Sequence, residues 1–269
     1  MAPSRDINDP NAFVFYRYHP SLAAAVLFTI LFALMTALHF CQMVRKRAWF
    51  LAPFVVGGLF ESVGYIGRIL SSSNQWDKIS YIIQSLLLLL APALFAASIY
   101  MILGRIIRLA DGERFSLIRS SRLTKLFVSG DVLCFFLQAT GGGIQATAGK
   151  HPDSDKKFAK IAGKLGECVI VGGLGCQILF FGFFVIVAVV FHLRGRRHLA
   201  SLGPSISWRK HLYTLYGTSL MILIRSVFRI VEYVQGNNGY LLRHEVFLYI
   251  FDATLMILVM IAMNIFHPG

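Results

Sequence analysis

The sequence predicts an all-α integral membrane protein, a single seven-transmembrane-helix bundle with its N-terminus outside and its C-terminus cytoplasmic. Three observations carry that prediction. Of the 269 residues, 56% are hydrophobic and 14% are charged, too few polar side chains to cover a soluble globule of this size. Seven continuous apolar runs approach the ~20 residues a helix needs to cross ~30 Å of hydrocarbon, whereas barrel strands would be ~10 residues long and alternate in polarity. Lysine and arginine gather in the short connections between the runs, as they do on the cytoplasmic side of membrane proteins.

Taken in order, the first span runs from Leu22 to Val44 and meets the basic stop Arg45, Lys46, Arg47. It is too long for a cleavable signal peptide, and its polar leader carries little net positive charge. The second, Trp49 to Ile69, contains Glu61 and Arg68. The third, Tyr81 to Leu103, has Gln84 near its start and Pro92 near its middle, where the missing N–H frees a backbone carbonyl and kinks the helix or lines a cavity. The fourth, Leu126 to Ile144, carries Asp131 and Gln138, and Gly141, Gly142 and Gly143 are expected to loosen its outer end. In the fifth, Gly166 to Leu193, Gly172, Gly173 and Gly175 let a neighbour come close, and Gln177 adds a polar group. The sixth, His211 to Val234, bears Arg225, Arg229 and Glu232; the seventh, Glu245 to Phe266, bears Asp252. The connections are short and no repeat divides the chain, so residues 1–269 are read as one domain.

Orientation follows from charge. The first, third and fifth connections hold fourteen lysines and arginines, and the N-terminal segment with the second, fourth and sixth connections holds nine. The N-terminus is therefore expected outside. The exception is the fourth connection, whose Lys150, Lys156, Lys157, Lys160 and Lys164 fall on the predicted outer face.

Several functions are argued against by what the chain lacks. The net charge of +13 comes from the connections rather than from a basic groove with interleaved aromatics, so no nucleic-acid partner is expected. There is no GxxxxGK(S/T) phosphate cradle, no HExxH pair and no serine nucleophile elbow, so no nucleotide hydrolysis, catalytic residue or metal site is assigned and no cofactor is expected. Cys41, Cys134, Cys168 and Cys176 all fall in or beside spans and are read as small apolar packing residues. His39, with Gln42 toward the cytoplasmic end of the first span, is read as a satisfied packing histidine.

Glu61, Asp131, Arg225, Arg229, Glu232 and Asp252 place ionisable groups inside apolar runs. Each costs ~2.5 kcal/mol or more at mid-bilayer unless it faces protein or water. Counted at about 1.5 Å per residue, Glu61, Arg68, Gln84, Arg225, Arg229, Glu232 and Asp252 converge on the outer half of the bundle. Glu61 and Arg68 share one helix face, as do Arg225, Arg229 and Glu232. These seven are the candidate substrate-binding residues, lining an amphiphile headgroup site; Arg68 and Glu232 are shallow enough to snorkel. The same charges also serve to fix helix register without any ligand. Asp131 and Gln138 form a separate polar group toward the cytoplasmic side, with Asp131 paired to a loop arginine, protonated, or facing a vestibule.

The stretches ESVGYIGR (Glu61 to Arg68), LAPALFAASIYMILGRII (Leu90 to Ile107), GDVLCFFLQATGGG (Gly130 to Gly143), LIRSVFRIVEYVQGNNGYL (Leu223 to Leu241), EVFLYIFDATLM (Glu245 to Met256) and the terminal HPG resemble the RTA1-like family of fungal seven-span proteins, also called lipid-translocating exporters. That resemblance implies a multi-pass protein of a fungal membrane, most often the plasma membrane, linked to movement of sphingoid long-chain bases, to resistance against sterol-like toxic amphiphiles and, in one member, to porphyrin handling. Membrane lipids and amphiphilic small molecules are then the expected partners. An exporter of such amphiphiles is the leading expectation. A seven-span receptor, sensor or regulator of lipid asymmetry is the alternative, and a lipid-modifying membrane enzyme the third.

Overall fold

The computed structural model describes residues 21–73, 78–148, 156–201, 208–235 and 240–267. Lys150, Pro268 and Gly269, which figured in the sequence reading, lie outside these residues, as do the side chains of Lys156, Lys157 and Lys160. Within them the chain is helical, and seven helices are long and apolar enough to cross a membrane. The helices are α1 (Leu22–Arg45), α2 (Ala52–Ser73), α3 (Lys78–Leu109), α4 (Ser120–Ala148), α5 (Lys156–Ser201) and α6 (Trp208–Gln235). The seventh, α7, covers Glu245–Ile265. The protein is an integral, multi-pass membrane protein.

Several helices outrun the spans read from hydropathy. Helix α5 has 46 residues, about 69 Å of rise, more than twice the hydrocarbon thickness. Hydropathy stops where the bilayer stops, but lysine and arginine are good helix formers and carry the helix on into water. Arg105, Arg108, Arg122, Lys125 and Lys164 consequently sit on helical extensions, not in loops.

Sharp turns keep two of the basic connections short. After α1 the N–H of Ala48 reaches the Met43 carbonyl, and after α3 the N–H of Gly112 reaches that of Ile107, both at 2.9 Å. This six-to-one closure requires a left-handed residue between, supplied here by Arg47 (φ 52) and Asp111 (φ 46). Helix α4 is capped from the preceding loop. Glu113 accepts from the Ser120 backbone N–H at 3.2 Å and from its hydroxyl, which holds the Glu113 carboxyl below the usual range.

Antiparallel neighbours pack along α1–α2, α2–α3 and α4–α5, and α7 lies against α6 and α1. Helix α3 is the most enclosed. Its Phe95, Ile99, Tyr100 and Leu103 are fully buried. Large apolar side chains such as Leu27, Leu34, Leu133, Leu179 and Ile186 face outward instead, the side that acyl chains cover. Cys134 is buried as expected for packing, whereas Cys41, Cys168 and Cys176 are on the outward side. Burial of apolar surface therefore does not choose which helices touch; close backbone approach and polar pairing do.

The α4–α5 seam shows the first of these. A Cβ on Gly141 would lie 2.8 Å from the Gly166 carbonyl, and one on Gly173 would lie 3.2 Å from the Cys134 carbonyl. Gly142, Gly143, Gly172 and Gly175 have nothing within 4 Å. The triple glycine does not loosen α4, which continues helical to Ala148. Gly141 is instead a contact point, and of the fifth-span trio only Gly173 is one. Gly141→Ala is expected to lower the thermal stability of the purified protein by the equivalent of about 1–3 kcal/mol, while Gly142→Ala leaves the melting temperature unchanged or raised. Equal melting curves for the two variants would dismiss the seam.

Candidate functional site

Helices α2, α3, α6 and α7 bring the main charged cluster together. On α6, Arg225 and Arg229 stand one turn apart with Glu232 on the same stripe. In α7 the backbone widens into a π-helical turn over Tyr249–Thr254, with the Thr254 hydroxyl donating to the Tyr249 carbonyl at 2.8 Å. Such a turn inserts an extra residue and re-aims the side chains it carries. Asp252 lies inside it, 2% exposed.

Both oxygens of Asp252 are taken by guanidinium donors: Arg225 Nε donates to Oδ1 and Arg229 Nη2 to Oδ2. Arg229 Nη1 also donates to Glu232 Oε2 at 2.9 Å. Arg225 Nη2 donates to the Leu88 carbonyl at 2.6 Å. Leu88 is four residues before Pro92, which has no N–H to offer it. The acceptor freed by the proline is thus taken by the arginine of another helix, the role that the sequence left between a kink and a cavity wall.

Glu61 completes this cluster without joining its hydrogen bonds. It is 2% exposed, it feels the charges of Asp252, Arg225 and Arg229, and its Oε1 has no donor. Glu61, Glu232 and Asp252 therefore face two guanidinium groups, and the acidic surplus rests on Glu61. Tyr65, one turn along α2, has a buried hydroxyl without a hydrogen-bond partner and senses both Asp252 and Glu61.

Arg68 does not pair with Glu61. Seven residues put them on one face but about 10 Å apart along the axis, and Arg68 binds α7 instead, with Nη2 to Glu245 Oε1 at 2.8 Å and Nε to the Tyr249 hydroxyl at 3.1 Å. Its guanidinium lies 5.3 Å from the Tyr249 ring centre. Glu245 in turn accepts the Ser21 N–H at the start of α1, at 2.9 and 3.1 Å. Tyr249 stacks on Phe28, with ring centres 5.1 Å apart. Arg68 and Glu232 are 1% and 5% exposed, so neither snorkels as its shallow position suggested. Gln84 is buried on α3, one turn before Leu88.

Asp131 and Gln138 belong to a second cluster between α3, α4 and α5. The Tyr100 hydroxyl donates to Asp131 Oδ2 at 2.8 Å, and Gln138 Nε2 donates to Gln177 Oε1 at 2.9 Å. Among the described residues Asp131 has no ion pair with a loop arginine. His39 is buried and its Nε2 meets the Met260 carbonyl at 3.0 Å.

Sequence reasoning missed Glu245, Tyr249, Tyr65 and Tyr100. Glu245 stands at the first residue of its span, where a charge draws no notice, and tyrosine passes for an apolar residue in a hydropathy scan. Only the seven-residue step from Glu245 to Asp252, placing two acids on one face, could have drawn attention to it.

The family described as RTA1 like protein matches residues 54–269. The chain is 40% identical to "Protoporphyrin uptake protein 1" of Saccharomyces cerevisiae over 95% of its own length and 92% of the relative's. It is 35% identical to "Protein RTM1" of the same species over 90% and 88%, and 27% identical to "Sphingoid long-chain base transporter RSB1" over 93% and 72%. No solved structure matches it significantly.

Removing one member of a buried pair strands the other. Arg229→Ala is expected to destabilise the protein by about 3 kcal/mol or more, because Asp252 and Glu232 both lose a donor, while Lys164→Ala on the exposed extension of α5 changes little. Chemical or thermal denaturation in detergent checks the difference, and indistinguishable variants would contradict the network.

Proposed function

The chain belongs to the RTA1-like family, and on that premise we propose that it moves cationic amphiphiles, sphingoid long-chain bases foremost, across the plasma membrane without hydrolysing a nucleotide. The observation that carries this reading is the acidic surplus at Glu61. A buried carboxyl beside a charge-balanced cluster, with an oxygen that no donor satisfies, is a costly arrangement in the absence of a ligand. A long-chain amine supplies both the missing charge and the missing donors.

The neighbouring groups suit the rest of such a molecule. Tyr65 offers a hydroxyl next to Glu61, and Phe28, Phe32 and Tyr249 offer flat apolar faces beside it. Asp252 is less suited to take the headgroup than its depth alone suggested, since both its oxygens already serve arginines. Arg225 and Arg229 then act by holding Asp252 and by setting the potential that Glu61 feels. Glu61, Tyr65, Phe32, Tyr249, Arg225 and Asp252 are closed off from their surroundings, and Phe28 and Arg229 are partly buried, so a cycle of transport requires α2, α6 and α7 to part. A relative named as a sphingoid long-chain base transporter and another named as a protoporphyrin uptake protein support an amphiphilic substrate.

Reconstituted in vesicles, the protein is expected to speed the movement of a labelled long-chain base, and Glu61→Gln to reduce that rate severalfold with thermal stability kept or raised. Unchanged movement by Glu61→Gln removes the site, and movement no faster than in protein-free vesicles removes the function. The charge bias among connections supports a cytoplasmic C-terminus: a reporter fused after Gly269 is expected to resist protease added to intact cells and to be cut once they are permeabilised.

A further inference from the structure

We propose that Asp131 is a proton-binding site and that amphiphile movement through this protein is coupled to loading and release of that proton, an inference that rests on the transport reading above. Two buried aspartates stand in contrast. Asp252 is held by two guanidinium groups, as an ionised carboxylate requires in a place with little water. Asp131 is nearly as buried, at 4% exposure, and has one phenol donor, Tyr100, on Oδ2. Its Oδ1 is buried with no donor at all.

The groups that face Asp131 offer no compensating charge. From α3 comes Tyr100; from α4 itself, Cys134; from α5, Cys176, which acts on Cys134. The Tyr100 ring is itself packed by Phe127, Phe181 and Phe184 at 4.5–6.0 Å between centres. Among the described residues no lysine, arginine or histidine pairs with Asp131. A single neutral hydrogen bond does not offset the desolvation of a carboxylate, so in this closed arrangement the side chain is a neutral carboxylic acid with Tyr100 donating to it.

Placement supports a carrying role beyond a static one. Asp131 and Gln138 are seven residues apart on one face of α4, and Gln138 Oε1 is likewise buried without a donor. Beyond Gln138 the α4–α5 seam is shut by backbone contact at Gly141 and Gly166. In the other direction α4 leads within a few turns to the basic α3–α4 connection. Access therefore opens from that end when α4 and α5 move. The step is a proton transfer without redox change: the Asp131 O–H bond breaks, the proton passes to water, the carboxylate stays until reprotonated, and Tyr100 steadies it meanwhile. Because an ionised Asp131 is tolerated only in an opened seam, the proton and the conformation are linked.

The test uses the full chain in vesicles with a long-chain alkylguanidinium, which stays charged at every pH used, so that a pH gradient cannot drive it passively, and which keeps N–H donors for Glu61. Wild-type movement is expected to rise severalfold with an imposed gradient, with matching proton flux. Asp131→Asn keeps an acceptor for Tyr100 and is expected to retain downhill movement but lose both the gradient effect and the flux. Tyr100→Phe keeps the acid and is expected to shift the pH profile of transport. Infrared difference spectra are expected to show a protonated-carboxyl band that Asp131→Asn abolishes. Gradient-driven movement surviving in Asp131→Asn overturns the proposal, as does wild-type movement indifferent to the gradient, an unshifted Tyr100→Phe profile, or absence of the band. If no variant and no wild type moves the probe while the band is present and lost in Asp131→Asn, the transport reading and the coupling with it fail, and the proton site stands.

Discussion

The clamp of Arg225 and Arg229 on Asp252 is the interaction around which the bundle is organised. A charge in hydrocarbon is tolerated only when its partners are supplied by the protein, so once α6 carries two arginines one turn apart an acid must meet them at that level, and α7 supplies it. The π-helical turn at Tyr249–Thr254 aims Asp252 there, and the Leu88 carbonyl that Pro92 leaves open takes a further arginine donor. Three helices are thereby held in register by one carboxylate and one missing N–H. Arg68 with Glu245 repeats the arrangement a few turns away and ties in the start of α1.

Neutral networks of this kind hold helices together, and they also define where a ligand can act. A closed, balanced set of charges has little to gain from a headgroup, whereas an unbalanced member does. Glu61 is that member in the first cluster and Asp131 in the second. The two differ in their surroundings: Glu61 lies in the field of two arginines and a second acid, and Asp131 meets one phenol, Tyr100, whose ring packs on Phe184. An amine fits the first setting and a proton the second. In both, occupancy changes the cost of keeping the helices closed, which is the physical basis for linking binding to movement.

Elsewhere the helices meet without charges. The α4–α5 seam relies on Gly141, Gly166 and Gly173, whose missing side chains let backbones touch. Most of the outward surface is large aliphatic and aromatic side chains that give no preference for one neighbour over another when acyl chains are the alternative. Polar pairs and glycine contacts supply that preference, so each counts for more here than it would in a water-soluble core.

Composition and hydropathy by themselves determined the membrane class, the number of spans, their order and the presence of charges that had to face inward, because transfer of apolar and ionic groups between water and hydrocarbon depends on residue type and run length alone. Helical spacing also showed that Arg225, Arg229 and Glu232 share a face. Which charge meets which was decided only by the tertiary structure. Arg68 chose Glu245 over Glu61, Asp131 chose Tyr100, Gly141 proved a contact rather than a loosened end, and α5 ran far past its apolar stretch. Pairing depends on axial offset, helix rotation and a local π turn, all set by neighbouring helices, and none of these leaves a mark in the order of residues along one helix.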